Sequence, residues 1–220
     1  MRITLETVKN DPAVKTYIAQ AGESLRAIGF TEHSFAHVTK VSDTCEYILK
    51  HLGFDEHTIE LAKIAGYLHD IGNMVNRQDH SQSGALMAFR ILDRMGVDPE
   101  DIATIVTAIG NHDEGNGIPV SPVAAALILA DKSDVRRSRV SNPDASTFDI
   151  HDRVNYSVER AVLKFDDENK ALHLCLQVDT AMSSVMDYFE IFLGRMIMCR
   201  KAAAKLGLSF KLIINDQVLM

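Results

Sequence analysis

The amino-acid sequence predicts a mostly α-helical fold followed by a small α+β appendage in the order β-β-α-β. Helix boundaries recur through the first part of the 220-residue chain, where an Asp or Ser that can cap a helix precedes Pro12, Pro99 and Pro122. Apolar residues in this part recur at spacings of three and four, which indicates amphipathic helices. Beyond residue 157 the apolar residues form short runs around turn residues, a pattern typical of strands.

Each predicted element lies between such boundaries. Helices are expected at residues 11–28, 34–52, 56–71, 80–95, 98–112 and 121–138. Strands are expected at 158–165 and 171–178, followed by a helix at 182–206 and a strand at 208–214. The polar segment before the first strand is expected to be a connection. The expected organisation is therefore a helical domain at 1–140, a connection at 141–157 and a small α+β subdomain at 158–220.

Composition excludes several functional classes. The chain has 23 Lys and Arg against 30 Asp and Glu, a net charge of −7, whereas contacts with nucleic-acid phosphates require a basic excess. No stretch approaches the roughly 18 apolar residues of a membrane span, and the N-terminus carries charges where a signal peptide is apolar. Three cysteines without a CxxC pair fit a reducing compartment. We therefore expect a cytoplasmic protein with no nucleic-acid partner and no membrane contact.

Histidine is concentrated in the first, acidic part of the chain, where seven of the nine histidines precede residue 113. The strongest motif is Leu68-His69-Asp70-Ile71-Gly72, which places an imidazole and a carboxylate together at the end of an apolar helix. Three further histidines and one acid stand within or at the ends of the other predicted helices, namely His37, His80, His112 and Asp131. Imidazoles and carboxylates together are typical ligands of first-row transition metals.

These residues, in this order, resemble the HD-domain metal-dependent phosphohydrolase superfamily. Its motif of a His, a His-Asp pair and a distant Asp is matched by His37, His69-Asp70 and Asp131. His80 and His112 match the two additional histidines of its dinuclear members. The resemblance covers residues 33–140, and residues 79–137 look closest to the bacterial members that hydrolyse dinucleoside tetraphosphates.

The resemblance implies a helical HD domain that binds two divalent transition ions per chain through these six residues. Fe or Mn is expected first, with Co, Ni or Zn as alternatives, because histidine-rich sites suit such ions better than Mg or Ca. Asp70 would bridge the ions and, with His69, serve catalysis, while a metal-activated water attacks phosphorus. Lys132 and Arg136 would contact the phosphate of a small nucleotide substrate, with dinucleoside polyphosphates ranked first. Bound ions would offset the negative charge of the protein.

Two departures from the family pattern keep other activities open. Asn73 stands where many members have Lys directly after His-Asp-Ile-Gly, so a phosphate contact expected there is lost or comes from elsewhere. Asn111-His112 and Gly117-Ile118-Pro119 match only in part the paired histidines and the Gly-Tyr-Pro of cyclic-dinucleotide phosphodiesterases. The alternatives are that activity, another nucleotide phosphodiesterase or nucleotidase of the same fold, or a non-catalytic HD signalling module.

Other polar residues near the motif have structural interpretations beside the functional ones. His33, one helical turn before His37, is interpreted as a surface histidine, with substrate binding as the alternative. Asp134 is interpreted as an ordinary helix acid, with an outer partner of the metal ligands as the alternative. Asp113 and Glu114 either orient the ligand histidines or face solvent. In the last part of the chain, an exposed strand edge would favour a homodimer, and closure over the site is the alternative.

Overall fold

The computed structural model describes residues 3–220 of the chain. The helices are α1 (Leu5–Asn10), α2 (Pro12–Ala27), α3 (Phe35–His51), α4 (Glu56–Leu68), α5 (His80–Arg94), α6 (Pro99–Gly110), α7 (Pro122–Ser133), α8 (Ile150–Ser157) and α9 (Val185–Lys205). The strands are β1 (Val158–Asp166), β2 (Ala171–Val178), β3 (Ser209–Ile214) and β4 (Gln217–Val218). The predicted mostly α fold with a small α+β appendage is confirmed.

The six helices expected in the first part are all present as α2 to α7, with ends that local chemistry explains. The carboxylates of Asp11 and Asp55 each accept two backbone N–H groups at the starts of α2 and α4. Helix α4 ends at Leu68, and after a turn the chain continues as a 3-10 helix at Ile71–Met74. Helix α7 ends at Ser133 rather than 138, because Asp134 leaves the helical region with ψ 71°.

Three short elements, α1, α8 and β4, were not predicted from the sequence. Helix α1 is capped by Thr4, helix α8 is capped by Asp149, and β4 has two residues that pair with the end of β3. The expected connection at 141–157 is therefore partly helical, because the Asp149 carboxylate accepts the backbone N–H of Asp152 and starts a helix within a polar segment.

The sheet has the strand order β1-β2-β3-β4. Strands β1 and β2 form an antiparallel hairpin with Val162 opposite Cys175, and β3 returns antiparallel to β4. Strands β2 and β3 are parallel with Leu174 opposite Leu212, and α9 is the crossover between them. The appendage is therefore β-β-α-β with one short additional strand, and the whole chain is not all-α.

Helix α7 forms the centre of the helical part. Residues 123–130 of α7 are all buried, and α3, α4, α6 and α9 pack against it. Helix α9 joins the appendage to the helical part through one continuous apolar core. Within residues 3–220, the helices are all too short or too polar to cross a membrane.

Two close approaches of the backbone bring α3, α4 and α5 together. A Cβ atom at Gly66 would lie 3.0 Å from Cα of Ser42, so a larger residue would push α3 from α4. A Cβ atom at Gly72 would lie 2.0 Å from the carbonyl oxygen of His80 and 2.4 Å from the backbone nitrogen of Gly84. Glycine at these positions lets the end of α4 lie directly beside the first turn of α5.

Candidate metal centre

The structure brings all six predicted ligands into one cluster inside the helical part. Their potential ligand atoms form three overlapping groups, in each of which all atoms lie within 4.8 Å of one another. The members are His37, His69, Asp70, His80, His112 and Asp131. Five of the six are buried and Asp131 is nearly so, with a side chain 12% exposed.

Helix ends place most of these side chains. His69 and Asp70 follow the last residue of α4, and His80 is the first residue of α5. His112 lies just beyond the end of α6, and Asp131 lies in the last turn of α7. His37 lies in the first turn of α3 and faces the buried end of α4. Five helices therefore bring one of their ends to the cluster.

One oxygen of Asp70 faces His37 and His69. Atom Oδ2 of Asp70 lies 3.6 Å from Nε2 of His37 and 3.4 Å from Nε2 of His69. Oδ1 of Asp131 lies 3.3 Å and 3.6 Å from the same two nitrogens. We refer to His37, His69 and Asp131 as the Asp131 side of the cluster.

The other oxygen of Asp70 faces two further histidines, one of which, His112, also forms a group with His69 and Asp131. Atom Oδ1 of Asp70 lies 3.5 Å from Nε2 of His80 and 4.0 Å from Nε2 of His112. The two imidazole nitrogens of this pair lie 3.2 Å apart. We refer to His80 and His112 as the His80 side. Asp70 therefore lies between two sets of ligands and presents one oxygen to each.

The second nitrogen of each histidine ring is held by a hydrogen bond. In all four rings Nδ1 lies at hydrogen-bond distance from an acceptor, which leaves Nε2 directed into the cluster. The acceptors are the carboxylate of Asp134 for His37 (2.8 Å) and the carbonyl oxygens of Gly66 for His69 (2.8 Å), Arg77 for His80 (3.1 Å) and Ile109 for His112 (2.6 Å). Such outer partners fix the tautomer and the orientation of metal-binding imidazoles.

Asp134 contacts a ligand of the cluster, which corrects its interpretation as an ordinary helix acid. Its buried carboxylate accepts the Nδ1–H of His37, and Nε of Arg136 donates to it at 3.0 Å. Although burial would raise the pKa of Asp134, its hydrogen bond to His37 and the charge of Arg139 hold that pKa well below its usual range. Asp134 therefore stays ionised behind His37.

Asn73, which stands where the family pattern has Lys, orients Asp70. Its Nδ2 donates to Oδ1 of Asp70 at 2.9 Å and to the carbonyl oxygen of Asp70 at the same distance. Asn73 is buried, and Nη1 of Arg77 approaches its amide oxygen at 3.4 Å. Asn73 therefore holds the carboxylate of Asp70 by a hydrogen bond, and the positive charge that Lys would supply at this position comes from Arg77.

The two predicted phosphate contacts, Lys132 and Arg136, are both engaged by carboxylates. Nζ of Lys132 is buried and lies 2.7 Å from Oδ2 of Asp131 and 3.2 Å from Oε2 of Glu114. Arg136 lies against Asp134 and, at 3.4 Å, against Glu32. Their contact with a substrate stays a prediction.

Glu114 lies at the contact between the helical part and the appendage. Its carboxylate pairs with Lys132 of α7 and, at 2.7 Å, with Nε of Arg195 of α9. Burial would raise the pKa of Glu114, but the charges of Lys132 and Arg195 lower it to about 2. Of the two expectations, orienting a ligand histidine or facing solvent, neither describes this residue. The sequence offered no signal for its pairing with Arg195, which lies 81 positions further along the chain.

His33 is buried at 8% exposure, which corrects its interpretation as a surface histidine. Its ring packs edge-on against that of His37 with centroids 5.5 Å apart. Burial, together with the charge of Arg139, places the pKa of His33 well below its usual value, so the ring is neutral. The one-turn spacing from His37 was the sequence signal for this placement.

The charges of the cluster fit a bound cation. Burial would raise the pKa of Asp70 and of Asp131, yet His69 beside the first and Lys132 beside the second hold both well below the usual range. Burial would lower the pKa of His69, but the carboxylates of Asp70 and Asp131 raise it to about 10. The two carboxylates therefore favour a positive charge beside His69, and a metal ion bound there would displace a proton.

A buried carboxylate oxygen without a hydrogen-bond partner also favours a metal in the cluster. Oδ2 of Asp70 is buried and has no hydrogen-bond partner among residues 3–220, a costly arrangement for a carboxylate unless a cation contacts it. The Nε2 atoms of His37 and His69 lie 3.3 Å apart, facing one another. Four imidazole nitrogens and two carboxylates are a ligand set for Fe, Mn, Co, Ni or Zn.

Three comparisons relate the chain to known proteins. Residues 34–136 match the family model of the HD domain. Uncharacterized protein MJ1020 of Methanocaldococcus jannaschii is 26% identical over 210 residues, which cover 84% of this chain and 78% of that protein. A crystal structure described as a predicted HD superfamily hydrolase, from an uncultured Thermotogales bacterium, is similar with a TM-score of 0.45 and 26% identity over 60% of this chain and 73% of that chain.

The segment that matches the HD domain contains the whole cluster. All six residues of the cluster, and the Asp134 partner of His37, lie within residues 34–136. The match agrees with the HD domain expected for this part of the chain. A segment that matches the HD domain and has a complete set of histidine and aspartate ligands supports a metal-dependent hydrolase.

Proposed function

We propose that the protein is a dinuclear metal-dependent phosphohydrolase. The observation that carries this proposal is the position of Asp70, whose two oxygens face different pairs of histidines. A carboxylate in that position suits a bridge between two ions about 3.5–4 Å apart, the separation found in two-metal hydrolases. The Asp131 side would hold one ion and the His80 side the other.

Two bound ions would lower the pKa of a shared water toward neutrality and neutralise the oxygens of a phosphoryl group. The chain's own residues prepare this centre. Asp134 holds the His37 ring so that Nε2 faces the cluster, and Asn73 holds one oxygen of Asp70. Lys132 neutralises the outer oxygen of Asp131, so that this carboxylate contributes less excess charge to the site. In this proposal Asp70 and His69 serve catalysis by holding the reacting groups.

The proposed substrate is a small nucleotide with a phosphoester or phosphoanhydride bond, and dinucleoside polyphosphates rank first. Support comes from the resemblance of residues 79–137 and from the cations near the cluster, among them Lys132, Arg136 and Arg77. Fe or Mn is the proposed metal, with Co, Ni or Zn as alternatives, because nitrogen donors outnumber carboxylates. A cytoplasmic location and a homodimer stay predictions.

The proposal is tested by phosphate release from a panel of substrates in the presence of Mn, Fe, Co or Mg. The panel contains a dinucleoside tetraphosphate, a cyclic dinucleotide and a nucleoside monophosphate, with products separated by chromatography. Asp70→Ala is expected to lose all activity, while Asp93→Ala, which removes an exposed carboxylate of α5, keeps it. Activity in Asp70→Ala equal to that of Asp93→Ala, or activity with Mg alone, would contradict the proposal.

A further inference from the structure

A cavity of about 210 Å³ lies beside the metal centre, between the segment that precedes α3 and helices α8 and α9. Positive charge and aromatic rings dominate its lining. The residues that matter here are Phe30, His33, Arg77, Arg139, Phe192 and Arg195. We refer to this space as the arginine cavity.

On one wall, two residues that line the arginine cavity contact ligands of the cluster. Nη1 of Arg77 lies 3.3 Å from Nε2 of His80, and the Arg77 guanidinium stacks over the ring of Phe30 at 5.6 Å. The ring of His33, which also lines the cavity, packs against His37. A group bound in the cavity would therefore lie next to a group bound at either side of Asp70.

On the other wall, two further arginines reach the partners of the cluster. Buried Arg139 donates from Nη1 to the carbonyl oxygen of Asp134 at 2.8 Å. Arg195 comes from α9, lies over the ring of Phe192 at 4.6 Å and contacts Glu114 through Nε alone. A guanidinium has five N–H donors, so both arginines retain donors beyond these contacts.

Charge in the arginine cavity is balanced only in part, because Arg195 pairs with Glu114 and Arg139 lies 3.8 Å from Asp134, whereas Arg77 has no such partner in the described part of the chain. Within residues 3–220 the partners of Arg77 are the Asn73 amide, the His80 ring and the Phe30 ring, none of which is a carboxylate. One acid, Asp149, lines the cavity, and its carboxylate already accepts the backbone N–H of Asp152. The unpaired charge of Arg77, together with the remaining N–H donors of Arg139 and Arg195, favours an anion, which arginine can bind through two parallel hydrogen bonds.

We propose that the arginine cavity binds a second anionic group of the substrate, one that does not react, beside the phosphoryl group held at the metal centre. This inference rests on the proposed function and deepens it, because it selects substrates with two anionic groups a short distance apart. It also assigns a role to the appendage, which supplies Arg195 and Phe192 from α9, and to the preceding connection, which supplies Asn155 from α8. The complete substrate site then requires both parts of the chain.

The test measures binding of unreactive probes to the metal-loaded protein by titration calorimetry. Methylenediphosphonate has two phosphonates, phosphonoacetate has one phosphonate and one carboxylate, and methylphosphonate has one phosphonate only. The variants are Arg77→Met and Arg195→Met, and the matched control is Arg90→Met, which removes a guanidinium exposed on α5 away from the cavity. Circular dichroism verifies that each variant is folded, and two variants on opposite walls guard against the misfolding of one.

Each cavity variant is expected to weaken methylenediphosphonate binding about tenfold or more, the effect of one lost charge-assisted hydrogen bond. Methylphosphonate binding changes less than threefold, and Arg90→Met changes neither. A comparable loss for phosphonoacetate would show that the cavity accepts a carboxylate, and no loss would restrict it to a second phosphate. The inference would be overturned if the cavity variants weakened the binding of methylphosphonate and methylenediphosphonate equally. It would also be overturned if they did not weaken the binding of methylenediphosphonate.

Failure of this inference is distinguishable from failure of the proposed function. If the cavity variants bind all probes normally while Asp70→Ala abolishes hydrolysis, the metal-centre proposal stands and the arginine cavity has no role in binding. If the variants lose methylenediphosphonate selectively while the wild type hydrolyses no phosphate compound, the cavity binds anions but the protein is not a phosphohydrolase.

Discussion

The two sides of Asp70 share one carboxylate but differ in nearly everything else. The Asp131 side has two histidines and a second carboxylate, and a buried acid, Asp134, stands behind His37. The His80 side has two histidines, both held by backbone carbonyl groups. Near Nε2 of His80 lie the partly exposed carboxylate of Asp113, at 3.9 Å, and the positive charge of Arg77, at 3.3 Å. The Asp131 side therefore has its carboxylates in direct contact with its histidines, whereas a ligand of the His80 side lies against Arg77 of the arginine cavity.

For the two ions proposed above, this difference predicts unequal metal affinities and different roles. A site with more protein ligands and more carboxylates binds a cation more tightly, whereas a site with fewer protein ligands keeps positions for water and substrate. We therefore expect the Asp131 side to fill first and to hold its ion when the His80 side is empty. Substrate is expected to enter from the His80 side, next to Arg77.

The largest loss of stability and of bound metal is expected from Gly72→Ala, because Gly72 allows the end of α4 to lie against the first turn of α5. The new Cβ would lie 2.0 Å from the carbonyl oxygen of His80, so α5 must move away from the end of α4. Overpacking of this kind lowers the free energy of unfolding by about 1–3 kcal/mol or more, and metal should be lost first from the His80 side. Urea unfolding and metal analysis measure the two effects.

Gly194→Ala is the matched control for this substitution. A Cβ at Gly194, on α9, meets no atom within 4 Å, so alanine there should stabilise the helix by up to about 1 kcal/mol. Equal unfolding midpoints for Gly72→Ala and the wild type would show that the close approach does not hold the two sides together.

Asp134→Asn is expected to weaken the Asp131 side alone. The amide oxygen can still accept from His37, but the negative charge that strengthens the imidazole as a ligand is gone. Loss of such an outer partner weakens metal affinity by about 10- to 100-fold. Competition with a metal indicator should show this loss for one equivalent of metal and none for the other. Equal weakening of both equivalents would contradict the separation of the two sides.

The same substitution has a pH signature. Because the folded pKa of Asp134 is depressed, its carboxylate stabilises the fold fully above the unfolded pKa of about 3.9. That contribution is lost as pH falls through the depressed value. The wild type should therefore exceed Asp134→Asn in free energy of unfolding above about pH 5, and the gap should narrow as the pH falls below about 4.

The smallest loss of metal affinity is expected from Asn73→Ala, which removes the side-chain amide that donates to the Asp70 carboxylate. One hydrogen bond of this kind contributes about 1 kcal/mol, so the affinity for metal should fall by less than about tenfold. The loss should be larger on the His80 side, because Nδ2 of Asn73 contacts Oδ1 of Asp70. Asn10→Ala, which removes an exposed amide bound to Glu6, is the control and should bind metal as the wild type does.

The residues of the cluster could be predicted from the sequence because their order resembles that of the HD-domain superfamily and because most of them stand at the ends of predicted helices. Pro, Gly and capping residues locate those ends, and a histidine or aspartate beside an apolar helix end carries a strong signal. The expected order His37, His69-Asp70, His80, His112 and Asp131 needed no knowledge of how the helices pack. Long helices such as α9 were predictable for the same reason.

The partners of the cluster could not be predicted, because they depend on packing between distant segments. Asp134 meets His37 across 97 positions, and Arg195 reaches Glu114 from a helix of the appendage. A charged residue near a helix end has the same local sequence whether it faces solvent or a buried partner. Helix α8, with eight residues in a polar segment, and β4, with two, were too short to give a periodic pattern.

The most direct test of the unequal two-sided centre is the number of metal ions per chain after loading with manganese, measured by mass spectrometry of the desalted protein. We expect two ions in the wild type, one in His80→Ala, which disrupts only the His80 side, and fewer than one in Asp70→Ala, which removes the shared carboxylate. One ion in the wild type, or as many ions in His80→Ala as in the wild type, would contradict the account.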